Sequence, residues 1–226
     1  MGAASRSRCA PGAPASRAEP GAPAVPTELL AVDPERPEAA ALERAARVLA
    51  IGGIIAFPTE TFYGLGAAAL DARAARRVFA LKGRPANNPL LVIVDGVAMA
   101  ETIAEIPDHA RSLIARYWPG PLTLVLRARP VVPDAVGAGT GTVGVRWSPH
   151  PVARGLAAAL GAPVTAPSAN PTGAPPAASP VAVLRDFADA IDLLVDGGET
   201  TGGQPSTVVD VTVDPPRVIR QGAVRL

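Results

Sequence analysis

Residues 53–94 read GIIAFPTETFYGLGAAALDARAARRVFALKGRPANNPLLVIV, and their pattern decides the fold. Ile54-Ile55-Ala56-Phe57 is a short continuous apolar run ended by Pro58, which marks a strand buried on both faces. Asp71 then caps a helix whose apolar stripe is Ala72, Ala75, Val78 and Phe79, and Gly83 supplies the left-handed residue that closes it. Residues 90–94 are strand-like again. Strand, polar loop, helix, polar loop and strand form an α/β unit.

Working outward, Leu42, Ala45, Ala46 and Leu49 recur at i, i+3, i+4 and i+7 and predict a helix over 35–50 that Gly52-Gly53 ends. Downstream, a helix is expected around 108–117, stopped by Pro119, with strands over 122–126 and 143–147. Pro151 opens a further helix carrying Val152, Leu156, Ala159 and Leu160, which Gly161 closes. Short strands follow near 163–166, 192–195, 207–213 and 217–220. Strands alternate with helices, but several strands are closely spaced. The expectation is a single α/β domain built on a mixed sheet, with no internal repeat.

The chain has 226 residues, 48% of them hydrophobic, with a net charge of +1. One large domain suits that length, and no global field argues for nucleic acid or membrane. The single cysteine, Cys9, allows no intramolecular disulfide, and His109 and His150 cannot make a zinc cluster by themselves. A reducing, cytoplasmic setting follows as the default. No apolar run approaches the roughly 18 residues needed to span a bilayer. Residues 1–26 hold Ala, Pro, Gly, Ser and Arg without Leu, Ile or Phe, and are expected to form a disordered tail ahead of a domain over 27–226.

Lysine occurs once, at Lys82, against 20 arginines. An ammonium is a compact point charge and a guanidinium a planar fork, so the two differ at a phosphate. Walker, dinucleotide-binding and nucleophile-elbow signatures are missing. What remains is a set of polar clusters at the ends of apolar strands: residues 58–66, 82–89, 141–146, 166–170 and 203–207. Strand-end crevices are where open α/β sheets bind ligands, and cations with convergent hydroxyls and amides describe an anion site. Taken singly, each has a plainer reading. Thr59 and Thr61 serve as turn hydroxyls, Ser168 and Asn170 as a turn or cap, and Arg146 as a solvated strand residue. Glu60 and Glu199 read as solvated loop acids.

Together the clusters resemble the YrdC-like family. PTETFYGLG and KGRPANNPL are followed in the same order by PGPLTLVL, TVGVR, APSAN, VDGGET, PSTVVD and VIRQG, covering roughly residues 36–223. The most specific element is K-x-R with S-x-N, here Lys82/Arg84 and Ser168/Asn170. The resemblance implies an open, twisted sheet with flanking helices and a concave basic cavity, in the short single-domain form. It also implies an L-threonylcarbamoyladenylate synthase, which makes threonylcarbamoyl-AMP and pyrophosphate from L-threonine, bicarbonate and ATP. The product would serve tRNA threonylcarbamoyladenosine formation through a downstream threonylcarbamoyltransferase complex.

Carried over by position, ATP would meet Arg84, Asn88, Thr142, Ser168 and Arg220, with Lys82, Asn170 and Ser206 in the same cavity. Lys82 and Arg84 would be catalytic. Thr61, Arg146 and the backbone at Ala166 would hold threonine, and Mg2+ would be held mainly by phosphates, with no protein metal ligands. Ile93 stands where some members place a histidine near threonine, and Pro176 where some have a serine. Two rival readings are a non-catalytic RNA-binding module of the same fold and a paralogue with another carbamoyl-adenylate chemistry.

Overall fold

The computed structural model describes residues 26–85 and 87–226, so residues 1–25 of the expected tail lie outside the described residues. In chain order the elements are β1 (Glu28–Ala31), α1 (Ala39–Ala50), β2 (Ile55–Phe57), β3 (Gly64–Gly66), α2 (Ala72–Lys82) and β4 (Leu91–Ile93). Then come α3 (Val97–Ile103), β5 (Ala104–Glu105), α4 (Asp108–Tyr117), β6 (Leu122–Ala128), α5 (Asp134–Gly137) and β7 (Thr142–Arg146). The chain finishes with α6 (Pro151–Leu160), β8 (Val164–Thr165), α7 (Pro180–Phe187), β9 (Leu193–Asp196), β10 (Thr207–Asp210) and β11 (Arg217–Arg220).

Local chemistry accounts for the helix ends. The Asp71 carboxylate accepts from the amides of Arg73 (2.7 Å) and Ala74 (3.3 Å), a cap worth about 1 kcal/mol. Gly83 closes α2 in the left-handed region at φ 58°. α1 starts at Ala39 instead of 35, because Pro37 disfavours the helical region for Arg36 before it. In α6 the buried face is Val152, Ala153, Leu156 and Ala157, so Ala159 is exposed against expectation.

The open, mixed α/β architecture expected from the sequence is present, and its hydrogen bonds divide it into two sheets. One runs β1-β9-β2-β3; the other runs β11-β10-β6-β7-β4-β8, with β5 pairing β6. Parallel and antiparallel pairs occur in both. The sheets meet where β3 lies against β8. There the Thr165 amide donates to Ala67 (2.9 Å), the Leu65 amide to Pro167 (2.8 Å), and Gly64 bridges Ser168.

Strand β3, Gly-Leu-Gly, was not legible from propensity. A Cβ on Gly66 would stand 2.9 Å from both Ile55 and Phe57 and 3.1 Å from Val164, so close packing selects glycine there. Two apolar clusters hold the layers. One is centred on Tyr63, Leu65, Leu122, Leu124 and Leu126; the other, on Phe57, Ile93, Leu156 and Leu193, seats α1 and α6.

Candidate functional site

Strand alternation builds the floor of a cavity of about 670 Å3. On β6, Leu122, Leu124 and Leu126 are fully buried while Thr123 and Val125 face the hollow. On β7, Val143 and Val145 go to the core while Thr142, Gly144 and Arg146 face the hollow. One row of the ladder runs Asp210, Val125, Gly144, Leu91 across four strands, and every member lines the cavity. The walls are the polar loops that follow or precede these strands.

Of the residues expected in the site, Thr61, Arg84, Asn88, Thr142, Arg146, Ala166, Ser168, Ser206 and Arg220 all line this one cavity, as does Pro176. Segments more than 150 residues apart in sequence thus share a surface, as Thr61 and Arg220 do. Lys82, Asn170 and Ile93 stand behind the wall. Ile93 is packed among Phe57 and Val164, beside Arg146 in the β4–β7 register.

Lys82 is only 3% exposed, and its ammonium is already held. It donates to the carbonyls of Ser168 (2.5 Å) and Asn170, while the Thr172 amide donates to the Lys82 carbonyl (2.9 Å). The lone lysine therefore ties the C-terminal end of α2 to the Ser168–Asn170 loop. Burial pushes its pKa down to about 8, with the neighbouring Arg84 charge acting in the same direction. Asn170 donates to the Pro171 (2.9 Å) and Ala174 (2.7 Å) carbonyls and shapes the next turn.

Arg84 is aimed by its own loop. Its Nε donates to the Asn88 carbonyl (2.9 Å), and its Nη2 donates to Asn88 Oδ1 and the Pro89 carbonyl (both 2.8 Å). Arg220 donates through Nη2 to the Ser206 carbonyl (2.8 Å) and Oγ (3.2 Å), and Ser206 Oγ shares a hydrogen bond with Thr123 Oγ1 at 2.9 Å. Burial depresses the pKa of Arg84 and then the Arg220 charge adds to it; burial depresses Arg220 and then the Arg146 charge adds to it. Arg220 thus repels Arg84 on one side and is repelled by Arg146 on the other across a single hollow, an arrangement that favours an anion between them.

Arg146 is 4% exposed, so its expected alternative as a solvated strand residue fails. Its Nη1 lies 3.5 Å from Glu60 Oε1, and its Nε has no hydrogen-bond partner among the described residues. Glu60 is consequently no solvated loop acid. Its Oε2 accepts from Ser148 Oγ, and its carbonyl accepts from Thr201 Oγ1 at 2.7 Å. Beside it, Thr59 Oγ1 donates to the Phe62 carbonyl (2.7 Å) and lies 3.1 Å from Thr61 Oγ1.

Sequence reasoning missed Glu60, Thr123, Asp210, Thr212 and Arg217. The signal for Thr123 and Asp210 was a single polar residue inside an apolar strand, Leu-Thr-Leu and Val-Val-Asp. Asp210 accepts from Thr212 through its amide (3.0 Å) and hydroxyl (2.6 Å) and from Arg217 (3.0 Å). Burial pushes its carboxyl pKa up, but these donors outweigh it and hold the group below its usual range.

The fold and this cavity define an open-sheet α/β protein with a guanidinium-lined hollow over the face of its larger sheet. The family model named Sua5_yciO_yrdC and described as "Telomere recombination" matches residues 47–222, and the chain belongs to that family. It is 46% identical over 193 residues to the threonylcarbamoyl-AMP synthase of Pyrococcus abyssi, covering 85% of this chain and 57% of that one. To the threonylcarbamoyl-AMP synthase of Bacillus subtilis it is 40% identical over 202 residues, covering 88% and 57%. Among solved structures, P. abyssi Sua5 complexed with L-threonine superposes with a TM-score of 0.84 at 45% identity, covering 87% of this chain and 58% of that one. The chain thus spans a little over half the length of these relatives.

Proposed function

We propose that this chain is a threonylcarbamoyl-AMP synthase. It forms threonylcarbamoyl-AMP and pyrophosphate from L-threonine, bicarbonate and ATP, for a downstream threonylcarbamoyltransferase complex that modifies tRNA. The observation that carries the reading is the pair Arg84 and Arg220, which hold no carboxylate among the described residues and face the same hollow as the buried, under-satisfied Arg146. Arg84, Asn88, Thr142, Ser168, Ser206 and Arg220 bind the nucleotide. Thr61, Arg146 and the Ala166 backbone bind threonine, with the Arg146 fork on its carboxylate.

The neutral amine of threonine bonds to the bicarbonate carbon as the hydroxyl leaves with the amine proton as water, giving an N-carboxylate. One of its oxygens bonds to the α-phosphorus of ATP as the bond to the pyrophosphate oxygen breaks. No protein nucleophile is required. ATP, bicarbonate and the N-carboxylate are all anionic, so charge compensation and alignment are the protein's tasks. A fixed cation about 4 Å from a phosphate oxygen is worth about 4 kcal/mol at an effective dielectric of 20. Lys82 contributes as a positioning residue, holding the Ser168–Asn170 loop on which the nucleotide rests. Asp210 is the one described carboxylate on the cavity wall, and both its oxygens are taken. A divalent ion, Mg2+, would arrive on the triphosphate and neutralise phosphate charge there.

The test is incubation with ATP, bicarbonate and L-threonine, followed by assay of pyrophosphate and threonylcarbamoyl-adenylate. Formation of both, dependent on threonine, is expected. AMP-forming turnover indifferent to threonine overturns the reading in favour of the paralogue, and tight RNA binding without turnover overturns it in favour of the binding module.

A further inference from the structure

Four guanidinium groups line the cavity, and the structure divides them into two kinds. Arg217 is paired with Asp210 at 3.0 Å, and Arg146 has the Glu60 carboxylate at 3.5 Å. Arg84 and Arg220 bond only neutral partners, Asn88, Pro89 and Ser206, among the described residues. Glu60 is not among the residues that line the cavity, although Thr59 and Thr61 on either side of it are. It is fixed there by Ser148 Oγ on one oxygen and by Thr201 through its backbone. His150, the N-cap of α6, feels the same carboxylate, and Arg220, on the cavity side, feels the Arg146 charge.

Resting on the function proposed above, we infer that Glu60 is the specificity-determining counter-charge that keeps polyphosphate out of the amino-acid subsite. In a hollow where every cation was bare, a triphosphate would be drawn to all of them, since electrostatic attraction does not discriminate by itself. Glu60 offsets part of the Arg146 charge, so that end offers a fork of donors in a weaker positive field than the Arg84–Arg220 end. A zwitterionic amino acid, which brings no net charge, fits there and a multiply charged phosphate is disfavoured. The pairing is suited to the task because it is loose. At 3.5 Å the pair makes no hydrogen bond, so the Arg146 guanidinium, which lines the cavity, is not committed to Glu60 and can turn donors to a substrate carboxylate.

Glu60→Gln retains the acceptor for Ser148 and removes the charge. The apparent KM for L-threonine, measured from low to saturating ATP, should climb with ATP by about tenfold or more in the variant, the least that one buried charge coupling is worth. Calorimetric titration with inorganic pyrophosphate should register a second site, and Glu60→Asp should restore the wild-type pattern. A threonine KM that stays flat with ATP, or a single pyrophosphate site, overturns the inference. A second reading needs no variant. In the wild-type protein, pyrophosphate and L-threonine should bind together, and direct competition between them overturns the inference as well. The underlying functional reading fails differently, by absence of threonine-dependent turnover in the wild type.

Discussion

Replacing Lys82 with methionine should cost little stability at pH 7 and much more at pH 10. The side chain is 3% exposed, with its ammonium on two carbonyls. Removing it leaves both carbonyls unpaired, at about 2 kcal/mol each. It also relieves the folded state of a charge that burial and Arg84 disfavour. The folded pKa is about 8 against an ordinary 10.5. A gap of that size corresponds to about 3 kcal/mol at pH below 8. The two effects nearly cancel at pH 7, leaving a net loss of about 1 kcal/mol.

The sign of the pH dependence follows from proton binding. Between pH 8 and 10.5 the unfolded chain holds the lysine proton more tightly than the native one, so native stability rises with pH in that window. The methionine variant has no such proton, and its deficit should widen to about 4 kcal/mol by pH 10 as the charge cost disappears from the wild type. Because this is the only lysine in the chain, no other ammonium side chain titrates in the interval. Tyr63, whose phenol burial pushes upward, is common to both proteins and cancels. Urea unfolding at pH 7, 8, 9 and 10 measures the difference directly. A deficit that is flat across the series, or already near 4 kcal/mol at pH 7, would refute the reasoning.

Nucleotide binding should draw a fraction of a proton onto Lys82 near pH 8, because a phosphate beside Arg84 cancels the repulsion that helps lower its pKa. Calorimetric enthalpies of ATP binding in buffers of different ionisation heat would reveal that uptake, and buffer-independent enthalpies would contradict it. Gly222→Ala should displace Ser206, since the added Cβ would lie 2.1 Å from the Pro205 carbonyl oxygen and 2.6 Å from the Ser206 carbonyl carbon. The expected result is a higher KM for ATP and a stability loss of about 2–4 kcal/mol by urea unfolding. Arg220→Gln should reduce kcat/KM for ATP by two decades or more, about 3 kcal/mol of lost phosphate attraction, while threonine affinity measured without nucleotide changes far less. Thr207→Val should free the C-terminal segment. Its hydroxyl donates to the Val224 carbonyl (2.6 Å) and accepts from the amides of Gly222 (3.0 Å) and Val224 (3.1 Å), so faster amide exchange at Gly222 and Val224 is the readout.

The sequence by itself determined the elements whose signals are local. Asp71 and Gly83 bound α2, Asp108 to Tyr117 form α4, and Pro151 and Gly161 bracket α6, because caps, proline and apolar spacing act within a few residues. Through eight motifs in order, which carry the family resemblance, it also pointed to nine residues that share one hollow. Tertiary structure decided what stands behind that wall. Whether the Lys82 ammonium faces a ligand or two carbonyls depends on a loop 86 residues away. Whether Glu60 is solvated or paired depends on the end of β7 and on Ser148, 88 residues on. β3 likewise depends on the close approach of β2 and of Val164 in β8, which leaves no room for a Cβ at Gly66. The physical reason is common to all three. A strand's alternation is written in its own residues, whereas the partner of a buried charge or a bare backbone is chosen by the register of strands distant in sequence.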